Sequence, residues 1–122
     1  ILPHEYNKRE GNVTKLLDKL HLQCANDLGK VTHAIDKYPG CSVGDIQVEK
    51  GESKYIEIAA ASVLARAAGL EQLNQLSKKA GFAIPKGSTH VALALHELKD
   101  RKLPFNEFVK LHFNNVIKFL AD

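Results

Sequence analysis

Glu52 stands in a glycine-led turn, Lys50-Gly51-Glu52-Ser53-Lys54, directly before a helix with an unusually small face, Ala59-Ala60-Ala61-Ser62. A run of alanine and serine lets a helix approach neighbouring backbone closely, and a Gly-acid-Ser entry sets the carboxylate where a sheet edge and a helix start converge on a cation. Asp36 is its counterpart, closing a short β-prone segment. If the two strands are parallel neighbours, one acid ends the first and the other follows the second, at the carboxyl edge where open α/β sheets collect ligands. Hard divalent cations take oxygen donors of this kind. The residues by themselves leave a plainer reading open, with Asp36 as a turn residue ahead of Pro39-Gly40 and Glu52 as a charge favoured by the helix dipole.

The elements that must position these acids follow from periodicity. Residues 1–12, with Pro3, Asn7, Gly11 and Asn12, read as an irregular lead-in whose Asn12 can cap a helix over Val13–Leu28, ended by Gly29. Val31–Asp36 and Asp45–Glu49 read as short strands joined by a turn-rich connection around Pro39-Gly40. That link is short for a parallel pair, which usually needs a dozen or more residues. A long helix is expected from Tyr55 to Lys79, stopped by Gly81. A loop over Phe82–Ser88 should lead to a helix capped by Thr89, and a final helix should start near Pro104 and run to Leu120. Four helices and two strands make an α/β chain whose sheet is too small to stand alone, so part of the sheet is expected to be missing.

With 122 residues, 44% hydrophobic, the chain has material for one domain with one core, spanning 1–122. No apolar run reaches bilayer length and no basic-then-apolar leader is present, so a soluble, cytoplasmic protein with no membrane partner is expected. The absence of methionine, with Ile1 first, leads to the expectation that the chain is trimmed, cleaved or excised from something longer. A net charge of +3 allows a phosphate-rich partner without demanding one. Cys24 and Cys41 lack metal-ligand spacing and read as free thiols. The six histidines never form a zinc pattern. Serine-nucleophile elbows, Walker loops and dinucleotide-binding glycine patterns are also absent. Lys50, Lys54 and Arg66 flank Glu52 in sequence, and Lys86 lies between Pro85 and Gly87. Such cations suit backbone phosphates, and equally an ordinary solvated surface.

The block from Lys50 to Arg66 resembles the signature of type 2 ribonucleases H, and its Glu-Ser-Lys-Tyr form is similar to that of ribonuclease HIII. The likeness extends to Tyr6-Asn7, the helix near Asn12, Pro85-Lys86-Gly87 and the run Lys110-Leu111-His112-Phe113-Asn114. It implies the C-terminal part of a ribonuclease H-like fold: helix, strand, strand, then three C-terminal helices, with an incomplete sheet. The implied activity is metal-dependent endonucleolytic cleavage of the RNA strand of RNA/DNA hybrids. Asp36 and Glu52 would be catalytic metal ligands for Mg2+ or Mn2+, with Ser53, Lys54, Arg66 and Lys86 facing the substrate. The resemblance also implies two further carboxylates from an adjacent Asp-Glu pair, a dipeptide this sequence does not contain. Half of the metal site, and the half-domain that bears it, is therefore expected to be a missing partner, and the chain alone to be inactive. Two departures stand out: Ser88-Thr89-His90 replaces the small residues that usually follow Lys86-Gly87, and the N-terminal substrate-binding domain of ribonuclease HIII has no counterpart here. The competing expectation is a non-catalytic fragment or degenerate homologue that binds nucleic acid or self-associates through its unfinished sheet.

Overall fold

Nine segments of regular structure make up the computed structural model, which describes residues 1–122. In chain order they are α1 (Pro3–Asn7), α2 (Val13–Leu28), β1 (Ala34–Asp36), β2 (Ile46–Val48), a 3-10 turn (Gly51–Ser53), α3 (Ile56–Ala80), α4 (Val91–Asp100), α5 (Phe105–Phe108) and α6 (Asn114–Ala121). They divide into two compact units, Arg9–Ala67 and the remainder, Ile1–Lys8 with Ala68–Asp122. The chain is thus mostly helical, with one two-stranded sheet.

In the unit Arg9–Ala67 the strands pair in parallel, with Ala34 opposite Ile46, Ile35 opposite Gln47 and Asp36 opposite Val48. The short link between them is sufficient because each strand has three residues, and at about 3.3 Å per residue the return path is only about 10 Å. Gly44 makes the closing bend at φ +89°, a conformation that side chains rarely adopt. A Cβ there would also lie 2.7 Å from Ile35 Cδ1.

Helix α2 holds the link in place. The Asn12 side chain accepts the Lys15 N–H at 2.9 Å and starts the helix, while Gly29 ends it at φ +80°. From its first turns Thr14 Oγ1 donates to the Pro39 carbonyl at 3.1 Å. One turn on, Asp18 accepts the Tyr38 hydroxyl at 2.5 Å and the Ser42 hydroxyl at 2.7 Å. These two bonds hold the Asp18 carboxyl below its ordinary range. Burial, then the bond to Asp18, pushes the Tyr38 phenol upward.

The other unit carries the deeper core. Leu76, Ala80, Leu98 and Phe108 bury one another, with Phe82, Ile84 and Leu103 packed around them. Leu95 and Val116 are also fully buried. Three sequence expectations change here. The lead-in contains α1, whose start is tied by the Leu2 N–H donating to Glu5 Oε2 at 2.7 Å. Thr89 does not cap α4; His90 occupies that place and makes no side-chain capping bond.

The expected last helix is broken into α5 and α6, with Val109 extended at φ −132°, ψ 140° and Pro104 at the cap rather than in the first turn. Asn7 holds the break open: its Nδ2 donates to the carbonyls of Asn106 and Val109, and its Oδ1 accepts the Leu111 N–H at 2.9 Å. A side chain a hundred residues away thereby satisfies backbone groups that a continuous helix would have paired internally. No helix is long and apolar enough to cross a membrane.

Candidate functional site

The turn that bears Glu52 is built by a change of backbone hand. Lys50 sits at φ 51°, ψ 46°, unusual for a residue with a side chain, and reverses the chain as it leaves β2. Gly51 follows, buried, and its carbonyl accepts the N–H groups of Lys54 and Tyr55 at 3.0 and 2.8 Å. Its own N–H donates to Asp36 Oδ1 at 3.2 Å. A Cβ at position 51 would fall 2.7 Å from Ile58 Cδ1 and 3.2 Å from Val48 Cγ2, so a larger residue would have to push these side chains aside for the turn to lie this close to β2 and the start of α3.

Asp36, the last residue of β1, is therefore bonded to the residue next to Glu52. Both carboxylates lie at the carboxyl edge of the parallel pair, and both residues are exposed. Glu52 is bonded in turn from α3, where the Ser62 hydroxyl donates to its Oε1 at 3.1 Å. The protein supplies no other donor to either acid, which leaves Asp36 Oδ2 and Glu52 Oε2 without a protein partner.

The cationic candidates are placed differently. Lys50, Lys54 and Arg66 are exposed and belong to the same unit as the two acids, with none of them in an ion pair. Arg66 lies one helical turn past Ser62 on the same face of α3. The Ser53 hydroxyl is already engaged, donating to the Lys50 carbonyl at 2.8 Å. Lys86 belongs to the other unit, on the exposed connection between α3 and α4. No three side chains among histidines, cysteines and acids converge on one point, and both cysteines are free.

Ser62 is the functional candidate that sequence reasoning left inside a small-residue face. No local signal distinguishes it from the alanines beside it. Its role depends on a contact ten positions away, formed only because the turn folds back onto α3.

Residues 17–116 match the protein family described as Ribonuclease HII, and the chain belongs to that family. Among individual relatives, the proteins named Ribonuclease HIII from Bacillus cereus (strain AH187) and from Bacillus anthracis (strain A0248) are each 49% identical to it over 74 residues. The match covers 57% of this chain and 23% of those proteins. The protein of the same name from Bacillus cereus (strain ATCC 14579) is 47% identical over 76 residues, covering 58% of this chain and 24% of its own length. The chain thus spans about a quarter of these relatives. No solved structure matches it.

Proposed function

We propose that this chain is the C-terminal part of a ribonuclease H-like catalytic domain. In this reading it takes part in metal-dependent endonucleolytic cleavage of the RNA strand of RNA/DNA hybrids, in the manner of a ribonuclease HIII. The single observation that carries the reading is the bond from the Gly51 N–H to Asp36 Oδ1, which draws the two acids to one edge of the sheet. The donor set fits a hard divalent cation in kind: two exposed carboxylates, each with an oxygen that no protein group occupies. Asp36 and Glu52 would hold Mg2+ or Mn2+. When bound, such a cation activates water and neutralises charge on the departing oxygen.

The chain's own residues would position the acids and meet the phosphates. The 3-10 turn, tied to Asp36 through the Gly51 N–H, carries Glu52. Lys54 and Arg66, exposed and unpaired, neutralise backbone phosphates of the hybrid, with Lys50 beside them. Ser53 adds a proposed substrate contact through the lone pairs its hydroxyl retains, and Lys86, on the other unit, is a separate candidate for a phosphate contact. Two carboxylates fall short of a two-cation site, so the remaining donors must come from a partner segment bearing an Asp-Glu pair, the missing half of the same domain.

The test is cleavage of a labelled RNA/DNA hybrid by the 122-residue chain in Mg2+ and in Mn2+, alone and mixed with a polypeptide supplying that segment. The expected result is little or no cleavage alone and activity in the mixture. Turnover by the pure chain near that of the mixture would show that the two acids suffice and that the shared-site reading is wrong.

A second reading, self-association without catalysis, draws on one observation. Ile56, Val63 and Leu64 on the first half of α3 are 81%, 68% and 72% exposed, and Ile56, Ala60, Val63 and Ala67 recur at helical spacing. An apolar stripe of this kind is sticky in water. Sedimentation at rising concentration should show oligomers. A monomer at every concentration, melting cooperatively, would remove this reading.

A further inference from the structure

A serine inside a helix often returns its hydroxyl to the carbonyl four residues earlier. Ser77, in the last turns of α3, does so, donating to the Leu73 carbonyl at 2.9 Å. Ser62 departs from this habit, sending its hydroxyl out of the helix to Glu52 Oε1 at 3.1 Å. We propose that Ser62 is a positioning residue for Glu52, holding one carboxylate oxygen so that the other is presented to a divalent cation.

The proposal rests on the reading of Asp36 and Glu52 given above and adds to it a residue on a different element. An exposed glutamate samples several rotamers, and only some of them aim at a shared cation with Asp36. The serine hydroxyl sits on a short side chain anchored in the backbone of α3, half-buried, and it selects among those rotamers. The arrangement repeats on the other acid, where the Gly51 N–H holds Asp36 Oδ1. Each carboxylate thus has one oxygen tied to a protein donor and one free. Hydrogen bonds from outside the ligand set orient metal-binding side chains in this way, and their loss typically weakens metal binding about 10–100-fold.

Mn2+ titration of the 122-residue chain, followed by paramagnetic broadening of the Gly51–Lys54 amide signals, tests this without recourse to cleavage. In the wild-type chain these signals should broaden selectively. Ser62→Ala should raise the Mn2+ concentration needed about tenfold, at the lower end of that range because the site is exposed. Its helix content should stay the same or rise, since alanine favours helix more than serine. The pair Ser62→Thr and Ser62→Val separates hydroxyl from shape: threonine should restore wild-type behaviour and valine should not. Wild-type broadening in both Ser62→Ala and Ser62→Val, with Glu52→Gln abolishing it, would overturn the role of Ser62 and leave the carboxylate site standing. If Glu52→Gln broadens like wild type, or if wild type does not broaden, the carboxylate site itself fails and Ser62 with it.

Discussion

On the proposed reading, Glu52→Gln should lower metal-dependent hybrid cleavage by roughly a hundredfold or more, about 2.7 kcal/mol of barrier, when measured in a mixture with a polypeptide supplying the Asp-Glu pair. The substitution keeps the length and hydrogen-bonding shape of the side chain and removes the charge that a hard cation requires. The amide can still accept the Ser62 hydroxyl through its oxygen, so the turn keeps its bond to α3. Hybrid binding without metal should change little, because the phosphate contacts are assigned to Lys54, Arg66 and their neighbours. Glu57→Gln is the internal control. Glu57 lies in the first turn of α3, exposed, with no ligand role, and its loss should leave activity within about twofold. Equal loss in both variants, or intact activity in both, would mean that Glu52 is not the ligand.

Leu98→Ala should destabilise the unit formed by Ile1–Lys8 and Ala68–Asp122 by about 2–5 kcal/mol. Leu98 is 1% exposed and packs with Leu76, Ala80 and Phe108, so truncation removes its burial and leaves a cavity that these neighbours only partly fill. Small domains have about 5–15 kcal/mol in total, and such a loss should shift a urea midpoint plainly. Leu93→Ala in the same helix is the comparison. At 70% exposed, Leu93 contributes little burial, and its replacement should fall within about 0.5 kcal/mol of wild type. A Leu98→Ala midpoint matching that of Leu93→Ala would refute the core assignment.

The core and the site differ in how far they were legible in the amino-acid order. Helix α2 and the long helix α3 follow from apolar spacing with capping and stopping residues, signals carried within a few positions of one another. Asn12 and Gly29 bound α2 as their types require, and Gly81 follows α3 at φ +81°. The run Gly51-Glu52-Ser53-Lys54 likewise marks a turn before a helix, and the resemblance it carries agrees with the family to which the chain belongs.

Contacts between distant positions were not legible in the same way. Asn7, by bonding to Asn106, Val109 and Leu111, breaks a segment whose periodicity is continuous, because helical spacing says nothing about a side chain that arrives from the other end of the chain. The short link between β1 and β2 argued against a parallel pair until the three-residue strands and the bend at Gly44 made the return short. The amino-acid order by itself singled out the two acids as candidates and the long helices around them, since residue chemistry and local periodicity are properties of short stretches. Only the tertiary structure decided that Asp36 is held by the Gly51 amide and Glu52 by Ser62, because hydrogen bonds across fifteen and ten positions exist only once the turn has folded back against β1 and α3.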